Sequence, residues 1–184
     1  TNDALTSAKT LNGMLKDMLS LAKMESNVPL NREKIDLAEM TSVVCNSFKE
    51  QCLVKKINII KDLQTLYVEM ERRDCERLLA NLIENGIKYN VDDGWVRVSL
   101  DADHKYFYIT VADSGMGIPE DSIERIFERF YRVDKSHSKE IGGTGLGLAI
   151  VEAAIQQHRG WVKADDSPLG GLRLTIWLPL YKRT

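Results

Sequence analysis

The sequence has no apolar run long enough to cross a membrane, and no signal-peptide pattern opens it. Charge of one sign is not in excess. The formal net value is −2 at pH 7, so neither a nucleic-acid-binding surface nor a polybasic membrane patch is expected. Cysteine is scarce: Cys45, Cys52 and Cys75 are odd in number and show no Cys-x-x-Cys spacing. That argues against a disulfide framework or a zinc site and fits a reducing cytosol. Cys45 and Cys52 lie seven residues apart, which predicts one shared helix face and a role as small buried apolar residues. No internal repeat or low-complexity tract occurs. Two nucleotide signatures are missing as well. There is no Gly-x-x-x-x-Gly-Lys-Ser/Thr loop, and no Gly-x-Gly-x-x-Gly in register. The chain opens on Thr1 rather than Met, so it is expected to be a piece of a longer protein, and a membrane-anchored parent is compatible with it.

What is present begins with a helix. Residues 3–25 contain no proline, and Ala4, Ala8, Leu11, Leu15, Met18 and Ala22 recur with heptad spacing. Leu5, Met14, Leu19 and Leu21 widen the stripe, which predicts a bundle helix in need of partner helices. "SNVPLN" breaks it at 26–31, and a compact domain is expected from about Val28. Asp36 followed by Glu39 is a capping signature for a helix from Leu37 to about Leu53. "INIIKDL" and "LYVEM" read as short strands, and a second helix is expected over about 71–89. The "VDDG" turn then joins two alternating strands, one facing inward through Val96, Val98 and Leu100, the other through Phe107, Ile109 and Val111. A short aromatic helix, a polar loop, a glycine-rich stretch and a helix to about His158 follow. Leu172, Leu174, Ile176 and Leu178 mark the last strand. The sum is an α/β fold: a two-layer sandwich of a mixed sheet of about five strands and about three helices, preceded by one long bundle helix.

Four stretches carry chemistry. In "ERLLANLIENGIKYN", Asn81, Glu84, Asn85 and Lys88 fall on one helical stripe opposite Leu78, Leu79, Leu82, Ile83 and Ile87. The bland alternative is an ordinary solvated face. Two mid-helix asparagines, however, suggest a use for their carbonyls, which suit Mg²⁺, with Lys88 one turn on able to meet a phosphate. In "VADSGMGIPED", Asp113 ends a strand, where a carboxylate can accept from an exocyclic amine, and Gly115 and Gly117 let main chain bend closely. Asp-Ser-Gly is also common turn chemistry. In "IFERFYRVDKS", Ile126, Phe127 and Phe130 read mainly as core, whereas Arg129 or Arg132 could fork onto a terminal phosphate. The polar "VDKSHSKEI" after it reads as a lid. In "GGTGLGLAI", glycines 142, 143, 145 and 147 lead into a helix expected to begin near Thr144, where amides and the helix N-terminus favour a polyphosphate.

In their order and spacing, "NLIENGIKYN", "DSGMGI", "FERFYRVD" and "GGTGLGLAI" resemble the N, G1, F and G2 boxes of the catalytic ATP-binding domain of sensor histidine kinases. The likeness covers about residues 30–180, and the tail "QQHRGWVKADDSPLGGLRLTIWLPL" is similar to that family's closing hairpin. Residues 1–27, with "LAKMES" near their end, resemble the second helix of its dimerisation hairpin, which leaves 28–184 as the catalytic domain. The resemblance implies an open pocket between sheet and helices, shared with gyrase-type ATPases, and the cofactors ATP and Mg²⁺. By position, Asn85 would coordinate Mg²⁺ with support from Asn81. Lys88 would meet the phosphates and Tyr89 the adenine or ribose. Asp113 would read the adenine amine, with Gly115 and Gly117 against the ring. Arg132 would touch the γ-phosphate, and Gly143, Thr144, Gly145, Leu146, Gly147 and Leu148 would hold the phosphate chain. Glu84 matches the water-activating base of gyrase-type relatives.

Two departures stand out. Gly86 occupies a position where the family commonly has Ala, at a helix cost of about 1 kcal/mol. The phosphoacceptor motif is absent: His104 falls in a predicted turn, His137 in the lid, and His158 at a helix end as a structural cap. The acceptor is therefore expected upstream of Thr1. The implied partners are ATP and ADP, a response-regulator receiver domain, and a second parent chain through the hairpin, with no nucleic acid and no membrane contact. The implied location is cytoplasmic, as part of a membrane-anchored sensor. The rival readings are a gyrase-type ATP hydrolase or serine kinase, a non-enzymatic ATP sensor, and a helical interaction module.

Overall fold

The computed structural model describes residues 1–26, 28–132 and 145–181. The first element, α1, runs Asn2–Glu25, with the Thr1 hydroxyl accepting the Ala4 N–H at its start and Lys23 in its last turn. Of its apolar residues only Leu21 and Met24 are buried. Leu5, Leu11, Leu15, Met18 and Leu19, which include the three large residues of the seam expected from the heptads, stand in solvent.

Strand β1 (Arg32–Asp36) leads directly into α2 (Leu37–Ser47), whose first turn is capped by Asp36 accepting the Glu39 N–H at 3.1 Å. The helix expected to continue to about Leu53 is interrupted at Phe48 and restarts as α3 (Lys49–Lys55). Cys45 and Cys52 therefore sit on two helices rather than on one face, and all three cysteines are buried free thiols. Burial pushes the Cys75 thiol up to about 12, which suits an inert core residue.

Strands β2 (Asn58–Asp62) and β3 (Tyr67–Glu71) precede α4 (Arg72–Lys88); β4 (Trp95–Ala102) and β5 (Tyr106–Asp113) form the expected hairpin. Helix α5 (Gly147–Gln157) and the hairpin of β6 (Trp161–Asp166) and β7 (Leu172–Pro179) complete the chain. The main sheet has the order β2-β4-β5-β7-β6, with β2 parallel to β4 and the other pairs antiparallel. It is mixed, as expected. The sequence reading did not place β1, which pairs with β3 in a separate two-stranded ribbon. The inward residues of β4, β5 and β7 are the alternating sets named from the sequence, all buried. Helices α4 and α5 cover that face, with α2 packed against α4, while Trp161 stacks on Trp177 at 5.6 Å on the other.

The aromatic stretch is not a helix. A single 3-10 turn at Ile123–Arg125 is followed by turns, and Phe130 adopts φ 63°. Its N–H is held at 2.8 Å by the Gly145 carbonyl, a contact made across the chain rather than within a helix. Ile126 is buried, whereas Phe130 is exposed, contrary to the core role expected for it.

Candidate functional site

The site grows from the two faces of α4. Leu78, Leu79, Leu82, Ile83, Gly86 and Ile87 face the core, and Gly86 lies against the Val96 methyls, where a Cβ would stand 3.4 Å away. Asn81, Glu84, Asn85 and Lys88 remain half-exposed on the opposite stripe. Asn81 donates Nδ2 to the Arg77 carbonyl at 2.9 Å, which leaves its Oδ1 facing the start of α5: a Cβ on Gly147 would lie 3.0 Å from that oxygen. The Asn85 amide makes no hydrogen bond among the described residues. Glu84 and Lys88 pair with each other at 2.7 Å.

At the other end of the stripe, Tyr89 and Asn90 carry the chain off the helix. The Tyr89 carbonyl accepts the Met116 N–H at 3.2 Å, and Gly115 packs so closely that a Cβ there would come 2.3 Å from the same oxygen. Only glycine fits at 115. Asn90, which the sequence reading passed over, is buried, with both its amide nitrogen and its amide oxygen engaged. Its Nδ2 donates to the Trp95 carbonyl at 2.9 Å, and its Oδ1 accepts the Val91 N–H at 2.9 Å and the Ser114 hydroxyl at 3.0 Å. Asn90 and Ser114 thus pin the end of α4 to the loop that follows Asp113.

Asp113 is buried at the end of β5. Its Oδ1 accepts two main-chain N–H groups, from Gly115 at 2.9 Å and from Leu172 at 3.1 Å, and Oδ2 takes no hydrogen bond from the described residues. Burial raises this carboxyl above the usual 3.8, and the bonds from Gly115 and Leu172 pull it back in part. Gly171, also missed, is what allows the geometry: a Cβ there would fall 2.0 Å from Oδ1. The signal was the Gly-Gly pair before an alternating strand. Gly117 takes φ +70°, a conformation that favours glycine.

The third wall is the start of α5. The helix begins at Gly147, later than expected, and its N-cap, Leu146, supplies no side-chain bond to the first turn. Leu146 is fully buried and Leu148 packs on the core, so main chain is what these two can offer a ligand. Gly145 has φ +76° and approaches Phe130 and Arg132; a Cβ on it would stand 3.7 Å from Arg132 Nε. Arg129 instead pairs with Glu25 of α1. The structure therefore separates the two arginines, placing Arg132 beside the glycine-rich segment and Arg129 on the helix contact. Gly143, Thr144, His137 and the expected lid lie outside the described residues.

His158 is buried behind this site. It accepts from Arg32 at Nδ1 (3.3 Å) and donates Nε2 to Asp74 at 3.2 Å, because a guanidinium can only donate. It caps α5 and joins it to α4 and β1. Among the described residues no group of three or more His, Cys, Asp or Glu is placed to hold a metal, and no helix is long and apolar enough to cross a membrane. A divalent cation on α4 would use the hard amide oxygen of Asn85 together with oxygens of a bound ligand, a donor set that fits Mg²⁺.

Comparison with known proteins gives the family and the fold. Residues 70–182 match the model of the histidine kinase-, DNA gyrase B- and HSP90-like ATPase family. The chain is 40% identical over 181 residues to the sensor histidine kinase CpxA of Escherichia coli (strain K12), which covers 97% of this chain and 39% of CpxA. It is 37% identical over 171 residues to the sensor histidine kinase WalK of Bacillus subtilis (strain 168), covering 90% of this chain and 28% of WalK. The chain therefore spans well under half of either relative. Its fold superposes on the Acinetobacter baumannii histidine kinase AdeS with a TM-score of 0.82 at 24% identity, over 98% of this chain and 84% of that one.

Proposed function

The chain belongs to the histidine kinase-, DNA gyrase B- and HSP90-like ATPase family, its kinship there is with sensor histidine kinases, and from that premise we propose that it is the catalytic part of such a kinase, donating the γ-phosphate of Mg·ATP to a histidine supplied from outside these 184 residues. On this reading residues 1–27 are the second helix of a dimerisation hairpin and 28–184 the catalytic domain.

The observation that carries it is the reach of the α4 polar stripe. Asn81 abuts Gly147 at one end, and Tyr89 abuts the Gly115 loop at the other, roughly 12 Å apart at helical rise. Asn85 stands between them with its amide unpartnered among the described residues. Asp113, with Oδ1 satisfied and Oδ2 taking no bond from the described residues, accepts the adenine amine, and the Gly115 and Gly117 main chain lies against the ring. Tyr89 packs near the adenine or ribose. Lys88 leaves Glu84 to meet the phosphates, the segment Gly143–Leu148 presents its amides to them, and Arg132 contacts the terminal one. Asn85, supported by Asn81, holds Mg²⁺, which when bound neutralises charge on the phosphate oxygens. The residues position the γ-phosphorus for in-line attack by the incoming imidazole nitrogen as the bond to ADP breaks. A receiver-domain aspartate is the onward acceptor, and a second chain pairs through the hairpin.

Calorimetric titration of the chain with Mg·ATP tests this. Binding is expected, weakened at least about tenfold by Asp113→Asn or Asn85→Ala, with no stable phosphorylation of the chain itself. No heat of binding, or labelled phosphate retained on the isolated chain, would be contrary results. The hydrolase alternative rests on Glu84, and steady ATP turnover lost in Glu84→Ala would favour it.

A further inference from the structure

The last carbonyls of α4 have no partner within the helix. They are held from outside by a residue of α3. Lys55 Nζ donates to the carbonyls of Ile87 at 3.3 Å, Lys88 at 2.7 Å and Asn90 at 3.2 Å. An ammonium at this end also faces the negative pole of the helix dipole. The local chain is shaped to deliver it. Lys56 takes a left-handed φ of 56°, which ends α3 and lets the Ile57 N–H reach the Cys52 carbonyl at 2.8 Å. The Lys55 carbonyl in turn accepts the Asp93 N–H at 2.9 Å, fastening it to the turn that leads into β4.

We infer that Lys55 is a positioning residue for the nucleotide site, closing the end of α4 and so fixing where Lys88, Tyr89 and the Gly115–Gly117 loop stand. The inference rests on the ATP reading of that site. Lys55 acts through main chain. Its hold on the Lys88 carbonyl sets the base of the phosphate-facing lysine. Its hold on the Asn90 carbonyl is passed on through the Asn90–Ser114 contact and the Tyr89–Met116 bond to the loop expected against adenine. A neutral side chain of similar length would fill the same space but remove the donor from the Lys88 and Asn90 carbonyls, while the Ile87 carbonyl would keep the Asn90 N–H at 3.3 Å.

The test uses the chain as it is, titrated with Mg·ATP by calorimetry, with amide exchange followed residue by residue. Lys55→Met is expected to weaken binding about tenfold and to speed exchange at Asn90 and Met116 without changing Ile176 in the centre of the sheet. Lys55→Arg, which keeps charged donors, is expected to restore most of the affinity. If Lys55→Met does not fold, Lys55→Leu, which also lacks a donor, is read in the same way. Unchanged affinity, or a loss that comes only with faster exchange at Ile176 as well, overturns the inference. A wild-type chain that takes up no nucleotide overturns the ATP reading itself and the inference with it, a failure plainly distinct from the other two.

Discussion

In α4, Leu78, Leu79, Leu82, Ile83 and Ile87 are all buried, whereas in α1 Leu5, Leu11, Leu15, Met18 and Leu19 lie in solvent. Both helices carry an apolar stripe of similar width. That of α4 is covered by the sheet and neighbouring helices of the same chain, so its other stripe can keep an Asn85 amide that makes no hydrogen bond among the described residues without loss of fold. That of α1 is buried among the described residues only at Leu21 and Met24, which rest on α5, where Gln157 donates to the Met24 carbonyl and Arg129 pairs with Glu25. The same periodic pattern thus serves a finished core in one case and a surface awaiting another helix in the other.

This contrast can be broken by substitution. Ile83→Ala should open a cavity under α4 and lower the unfolding free energy by ~2–5 kcal/mol in denaturant titrations. A loss under about 0.5 kcal/mol would mean that the α4 stripe is no more committed than that of α1.

A smaller effect sharpens what the polar side of α4 faces. Folding raises the Asp113 carboxyl above 3.8 because burial disfavours its charge, so the native state favours the protonated form. Its contribution to stability is therefore fullest below the unfolded value and is lost as pH rises through the raised one. Nucleotide affinity should run the other way and weaken as pH falls through that same value, since the ionised group is the better acceptor. Asp113→Asn should flatten both trends in parallel thermal and calorimetric series, and persistence of either slope would assign it elsewhere.

The smallest effect is expected on α1. Leu11→Ser should change stability by less than about 0.5 kcal/mol, since Leu11 is 61% exposed. A clear drop in melting temperature would show that the seam is already covered in solution, for example by a second copy.

Much of this was legible before any coordinates. The alternation in β4, β5 and β7 and the two faces of α4 follow from side-chain periodicity alone, because each element contacts the core along one regular face. What escaped depends on partners distant in sequence. Strand β1 is "REKID", where Ile35 is the one core-buried residue, so its pairing with β3 left almost no pattern. Phe48 ends α2 early inside a stretch that reads as one helix. The turn at Phe130 exists because Gly145 supplies a carbonyl to it. Asn90, Gly171 and Lys55 are ordinary residues in the sequence. Their value comes from Ser114, Asp113 and the end of α4, which the fold brings to them.

The indole pair on the open side of the sheet has a practical consequence. Trp161 and Trp177 lie 5.6 Å apart with ring planes 13° from parallel, while Trp95 sits where its carbonyl meets Asn90 and Ser114. Two chromophores this close couple electronically, giving an ultraviolet dichroism signal that reports closure of the last hairpin. One unlabelled sample thus offers an optical reading of the far edge of the sheet.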